Sequence, residues 1–341
     1  MAREGGPASL SDAWRAWVAE NALRSVPTEA LLDTLVQNGV PERLGREEIE
    51  EIVGSPVFAG ARRAANRALR SEMRARLERE TARLARRPNT IERRSHLSPD
   101  EFVDRYYATG TPVIVDDTFK TWPALAQWSP SHFKERLPNA ELVVLTDRAD
   151  DPGCHAHVER ASAVVPMHAL CDRISTAGLT NDFYVISNDF DPPRGHLASL
   201  VTDISAAHPY LDDQRHAGCV LLWFGPAGTV TPLHHDTKNV WLCQVDGRKK
   251  VLLFPRFELP LLGALPDTVY GKLDLHRPEA EAFPELGDAL RMEAELGPGD
   301  ALFIPVGCFH QVRALEASIS LGFSNFRAPN RFGWYTPGTI S

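Results

Sequence analysis

The chain has 341 residues, 43% hydrophobic and 24% charged, the mixture of a globular protein with a sizeable core and not of a disordered chain. No stretch approaches the ~20 apolar residues of a membrane helix, and the polar start, Met1 to Ser9, has no apolar run, so the expectation is a soluble, unexported protein. The formal charge of −8 is uneven: residues 61–87 hold ten arginines against three glutamates, a local +7 that leaves −15 on the remainder, a body that repels phosphate backbones and argues against a nucleic-acid substrate.

From about Ser9 to Arg87 the pattern predicts helices, with Leu31, Leu32, Leu35 and Val36 at helical spacing and few β-branched residues in the later Ala/Arg/Glu-rich stretch. In that stretch Leu69, Met73, Leu77 and Leu84 can share one side, which predicts a solvated helix docked by an apolar stripe. The functional alternatives are a homodimerisation helix or a site for an anionic partner. Pro88-Asn89 then ends the helix, because proline brings no amide donor. A helical N-terminal region, 1–88, is thus set off from a catalytic domain, 89–341.

Beyond this boundary Ser98-Pro99-Asp100-Glu101-Phe102 predicts a capped helix start, and Pro112-Val113-Ile114-Val115 a short buried strand. Further strands are expected at Glu141–Leu145, Phe183–Ser187, Val220–Phe224, Val240–Val245, Lys250–Phe254, Ala301–Ile304 and Ser318–Phe323. Many short strands with Gly/Pro turns point to a mainly β domain, a sandwich or barrel. Five cysteines (Cys154, Cys171, Cys219, Cys243, Cys308) are odd in number, scattered and form no Cys-x-x-Cys pair, which suits a reducing cytoplasm.

Gly228-Thr229-Val230-Thr231-Pro232-Leu233-His234-His235-Asp236 carries the first chemistry. On an extended chain His234 and Asp236 project to the same side, while His235 points away. A third candidate is His310, reached from Gly297-Pro298-Gly299-Asp300 through Ala301-Leu302-Phe303-Ile304-Pro305, where a turn feeds a strand expected to end at the histidine. Two imidazoles and one carboxylate on one face suit non-haem Fe(II) and leave positions open for a co-substrate and O2.

These motifs resemble those of the JmjC-type, cupin-like oxygenases dependent on Fe(II) and 2-oxoglutarate, especially the asparaginyl hydroxylase of hypoxia-inducible factor and the small JmjC arginyl hydroxylases. The likeness covers roughly Ile91 to Phe326 and is densest in Trp223–Thr229 running into His234-His235-Asp236, and in Phe303–Val306 running into His310–Leu315. Asp274, Pro278, Phe283 and Pro284 match a connecting segment between the two motifs.

The resemblance implies a double-stranded β-helix, a jelly-roll barrel flanked by helices. It implies that Lys249 grips the distal carboxylate of 2-oxoglutarate, with Thr231 and Tyr184 as further contacts and Asn325 beside the metal. Asp246-Gly247 is expected to form a tight hairpin turn before Lys249 and Lys250, and which lysine points inward is a question of register. Two departures, Val240 where the family often carries asparagine and Gly307-Cys308-Phe309 where it carries bulky aromatics, bear on the substrate. The implied reaction is hydroxylation of a C–H bond in a protein or peptide side chain, a basic peptide being favoured by the acidic body. Demethylation, hydroxylation of a small molecule or nucleoside, and a cupin metal enzyme that does not use 2-oxoglutarate are the alternatives.

Overall fold

A computed structural model describes residues 9–84, 90–148, 162–187, 190, 195–204, 208–212, 214, 218–258, 269–270, 289–330 and 332. Cys154, Pro88-Asn89 and the segment with Asp274, Pro278, Phe283 and Pro284 lie outside the described residues. The chain divides into two compact units, Met1–Glu78 and Arg79–Ser341.

The first unit is helical. α1 (Asp12–Leu23) starts at Ser11, whose hydroxyl accepts from the Trp14 amide; α2 (Thr28–Gln37) and α3 (Glu42–Gly54) each start behind a proline, Pro27 and Pro41. Leu10, Val18, Leu31, Leu32, Leu35 and Ile49 form its core. Buried Glu48 accepts from the Leu10 amide and pairs with Arg15, so its charge is not stranded. Val36, grouped with the leucines in the sequence, is exposed.

α4 (Pro56–Leu84) covers the arginine-rich stretch, and here the expected docked stripe is not found. Leu69, Met73, Leu77 and Leu84 are 54–84% exposed, whereas Ala82 is buried and the Arg79 side chain, largely covered, pairs with Glu258 at 2.8 Å.

Among its described residues the second unit holds thirteen strands: β1 (Glu92–Arg94), β2 (Val113–Val115), β3 (Glu141–Leu145), β4 (Ser162–Pro166), β5 (Tyr184–Ser187), β6 (Val220–Gly225), β7 (Val230–His235), β8 (Val240–Asp246), β9 (Lys249–Phe254), β10 (Met292–Leu296), β11 (Ala301–Ile304), β12 (Phe309–Ala314) and β13 (Ser318–Phe323). Four short helices, α5 (Pro99–Phe102), α6 (Pro123–Gln127), α7 (Pro130–Arg136) and α8 (Met167–Thr176), flank them. A nine-stranded sheet has the order β1-β2-β11-β8-β13-β6-β5-β3-β4, and a four-stranded sheet the order β10-β9-β12-β7. From β6 to β13 the chain passes back and forth between the two sheets, with only β9 and β10 consecutive in one sheet. This is the double-stranded β-helix that the resemblance implies.

Period-two alternation sorts the side chains. On β8 and β11, Trp241, Cys243, Ala301 and Phe303 join the large core that includes the helices, while Leu242, Leu302 and Ile304 join a smaller core with Val251, Leu253 and Val312 of the other sheet. The site lies among this second set.

The Asp246-Gly247 turn differs from the expected hairpin: β8 belongs to the large sheet and β9 to the small one, so the turn carries the chain across the sandwich. Gly247 sits at φ +68°, and a Cβ there would lie 2.1 Å from the Ala317 carbonyl oxygen. Buried Gln244 donates to the Asp246 and Gly247 carbonyls at 2.7 and 2.9 Å and accepts from Ser320. Gly247→Ala is therefore expected to cost about 3 kcal/mol or more of stability, because both the left-handed backbone and the contact with fixed main chain must give. A denaturant midpoint equal to that of the parent protein would contradict this.

Candidate metal centre

β7 and β12 are antiparallel neighbours in the small sheet, with His234 opposite His310 and His235 opposite Phe309. The histidine rings of residues 234 and 310 lie 4.2 Å apart. Asp236 follows directly after β7, and its Oδ2 stands 3.6 Å from His310 Nε2. One ligand atom from each of His234, Asp236 and His310 falls within 4.8 Å of the others.

Both rings are oriented from behind. His234 Nδ1 meets the Pro232 carbonyl at 2.8 Å, and His310 Nδ1 meets the Cys308 carbonyl at 3.1 Å. A carbonyl only accepts, so each Nδ1 carries a proton, and in the neutral ring that tautomer puts the lone pair on Nε2. Burial, then the neighbouring His234, pulls the His310 pKa down to about 4, which keeps that ring neutral. An unprotonated Nε2 facing a carboxylate oxygen sets lone pair against lone pair, an arrangement that a cation between them converts into attraction. The residues therefore fit a divalent metal, and the two-imidazole, one-carboxylate set fits non-haem Fe(II).

His310 is not the end of the β11 strand, as the sequence suggested. Pro305 to Cys308 form a turn, with Gly307 donating its amide to the Asp236 carbonyl, and His310 is the second residue of β12. Proline ends the β11 ladder because it has no N–H to give. His235, the rival ligand, is buried on the other face against Phe309, 4.9 Å between ring centres, and burial lowers its pKa too.

Thr231 and His234 are three residues apart, so strict alternation would put them on opposite faces. The register between β7 and β12 shifts, however: Val312 pairs with Thr231 and His310 with His234, so Pro232 and Leu233 together oppose Gln311 alone. This bulge turns Thr231 back to the face of the histidines, and Pro232 sits where a ladder amide is not required.

His234, Asp236, His310 and Thr231 line a pocket of about 480 Å³ between the sheets, with Leu221, Trp223, Leu242 and Ile304 as apolar walls. Lys249 lines it as well. It is 2% exposed and in phase with Val251 and Leu253, whereas Lys250 points outward to Glu293 at 2.9 Å. Lys249 Nζ donates to the Tyr184 hydroxyl at 3.2 Å. Burial lowers the lysine pKa to about 7 and raises that of the tyrosine to about 12. Gly225 makes room for this phenol, since a Cβ there would come within 2.7 Å of Tyr184 Cδ2. A buried ammonium beside a phenol and the Thr231 side chain fits the free carboxylate of a keto acid.

Asn325 is not brought to the pocket. It follows β13, where its side-chain Nδ2 donates to the Asp212 carbonyl at 2.6 Å and its main-chain carbonyl accepts from the Asp212 amide. Sequence reasoning also passed over Arg148, which is 1% exposed with its guanidinium carbon 5.1 Å from the centre of the Tyr184 ring. Its signal in the sequence is only a lone arginine just past a strand.

A jelly-roll sandwich with a His/Asp/His trio at the edge of its small sheet defines a cupin-type metal centre. The family model for the cupin-like domain matches residues 99–331, and the chain belongs to that family, in its JmjC-like branch. Lysine-specific demethylase JMJ30 of Arabidopsis thaliana is 28% identical over 254 residues, 68% of this chain and 54% of the relative. Lysine-specific demethylase 8 of Xenopus tropicalis is 27% identical over 231 residues, 66% and 50% of the two chains. The human bifunctional peptidase and (3S)-lysyl hydroxylase JMJD7 is 21% identical over 258 residues, 66% and 80%. The chain spans about half the length of the two demethylases. No helix among the described residues is long and apolar enough to cross a membrane.

Proposed function

We propose that residues 89–341 form an Fe(II)- and 2-oxoglutarate-dependent oxygenase that hydroxylates a C–H bond in a protein or peptide side chain. The observation that carries this reading is the pairing, in one pocket, of two Nε2 lone pairs and a carboxylate at one end with the buried Lys249 ammonium at the other. A metal enzyme that did not use the keto acid would have no use for a desolvated lysine there.

His234, Asp236 and His310 would hold one face of the iron and leave the remaining positions open. Lys249, the Tyr184 hydroxyl and Thr231 would fix the far carboxylate of the co-substrate by charge-assisted hydrogen bonds, which sets the direction of its keto end. The apolar walls keep water from the reacting centre. Iron, when bound, supplies the O2-dependent decarboxylation of 2-oxoglutarate to succinate and CO2 together with oxygen insertion into the substrate.

A protein side chain as substrate is supported by the relatives named as lysine-specific demethylases and a lysyl hydroxylase. The −15 carried outside residues 61–87 favours a basic peptide. Demethylation is the second reading, favoured by the names of the two relatives called lysine-specific demethylases. Purified protein with Fe(II), 2-oxoglutarate and peptide pools tests both: iron-dependent, peptide-stimulated succinate release is expected. A product that gains one oxygen marks hydroxylation, and formaldehyde with loss of a methyl group marks demethylation. Succinate release that needs neither iron nor peptide would refute the proposal.

The lysine also predicts a pH dependence. Its pKa in the ligand-free pocket is depressed to about 7, and a bound carboxylate favours the charged form, so above pH 7 binding must take up a proton. Affinity for 2-oxoglutarate should be flat just below pH 7 and fall by up to about tenfold per pH unit above it. Calorimetry in buffers of different ionisation enthalpy reads the proton directly; equal uptake at pH 6 and pH 8.5 would contradict the assignment.

A further inference from the structure

Arg148 follows β3 after Asp147, a non-glycine residue held at φ +55°. The left-handed turn costs backbone energy that ordinary loops avoid, and here it swings the next side chain inward. The Arg148 amide donates to the Asp182 carbonyl at 3.3 Å. Its Nη2 donates to the Val230 carbonyl at 2.6 Å and to Asn181 Oδ1 at 3.4 Å, and the same Asn181 oxygen accepts the Val230 amide at 2.8 Å. Arginine and asparagine together thus hold both polar groups of Val230, the residue before Thr231 and at the start of the strand that bulges to present it.

The guanidinium also packs on the Tyr184 ring, 5.1 Å from its centre, while Lys249 Nζ lies 5.7 Å from the same centre. Both hydroxyl-bearing residues at the far end of the pocket are therefore set by one buried cation, Tyr184 through its ring and Thr231 through the backbone of the preceding Val230. The positive potential of Arg148 adds to that of Lys249 at the place where a carboxylate would sit. The charge also helps to offset the upward shift of the Tyr184 pKa caused by burial.

We infer that Arg148, clamped through Asn181, is a positioning residue for the distal carboxylate of the keto acid and sets the preference of the pocket for a dicarboxylate. This rests on the reading that the pocket takes 2-oxoglutarate. The residue need not touch the ligand; it acts through Tyr184, Thr231 and the local field.

The test is anaerobic calorimetric titration of the full-length, Fe(II)-loaded protein with 2-oxoglutarate and with 2-oxobutanoate, which keeps the keto-acid end and lacks the second carboxylate. Arg148→Lys retains the charge but loses the planar guanidinium whose Nη2 reaches both Val230 and Asn181 and whose face packs on Tyr184. Asn181→Ala leaves the arginine in place and loses the clamp, and it keeps the test alive should the buried arginine prove necessary for folding. In each variant the Kd for 2-oxoglutarate is expected to rise about tenfold, the size of one well-placed hydrogen bond to a charged group, with that for 2-oxobutanoate within about twofold of the parent. A merely structural role would weaken both ligands equally, and that result overturns the inference, as does an unchanged preference for 2-oxoglutarate in the variants. If the parent protein itself shows no preference between the two acids, the 2-oxoglutarate reading falls and takes this one with it.

Discussion

Asp236→Ala is expected to lose iron at concentrations where the parent protein is saturated and to lower iron-dependent succinate formation by more than about 100-fold. Partners that only orient a metal ligand are worth roughly 10–100-fold each, and Asp236 supplies the only carboxylate of the trio. The fold should survive, because the side chain is 32% exposed and follows the strand instead of filling the core. Metal analysis after gel filtration, paired with a succinate assay, reads both effects. Retained iron-dependent turnover would remove Asp236 from the site.

Lys249→Ala should separate the two ends of the pocket. Iron uptake is expected to stay within about twofold of the parent, while the KM for 2-oxoglutarate rises by more than about 100-fold, since a buried carboxylate stripped of its cation costs on the order of 3–5 kcal/mol. The variant should be no less stable than the parent at neutral pH. Burial depresses the lysine pKa, so the folded protein holds this charge at a cost that alanine does not carry. An unchanged 2-oxoglutarate titration would move the role away from Lys249. The outward course of Lys250, paired with Glu293, makes it a control that should change neither quantity.

How far the sequence reveals this site depends on which rule each residue obeys. His234 and Asp236 follow simple alternation, and the spacing of their motif from His310 was visible in the chain. Glu141–Leu145, Ala301–Ile304 and Ser318–Phe323 appear as strands with the expected bounds, because each is a short β-branched or aromatic run closed by turn residues. β10 was missed. Met292-Glu293-Ala294-Glu295-Leu296 has helix-forming residues, and it becomes a strand by pairing with β9, where Glu293 and Glu295 meet Lys250 and Arg248 on the outer face.

The bulge at Pro232-Leu233 was equally hidden, since a register shift is a property of two strands and not of one. The same holds for Arg148, whose meaning comes from Tyr184, Asn181 and Val230, residues 33–82 positions away. Hydrophobicity misassigned the leucine stripe of α4, whose leucines are exposed while Ala82 and the Arg79 side chain are covered. Lys249 is favoured over Lys250 by the motif resemblance, and the crossing of the turn at Gly247 gives the physical reason, putting residue 249 in phase with the interior of the small sheet.

The most direct measurement of the central claim is anaerobic addition of Fe(II) and then 2-oxoglutarate to the purified protein, followed by visible absorption and metal analysis. One iron per chain and a charge-transfer band that appears only when both iron and keto acid are present are expected. The band should be lost in Asp236→Ala and should need far more 2-oxoglutarate in Lys249→Ala. Iron uptake indifferent to the loss of Asp236 or His310, or a keto acid that leaves the spectrum of the iron-loaded protein unchanged, would contradict the account.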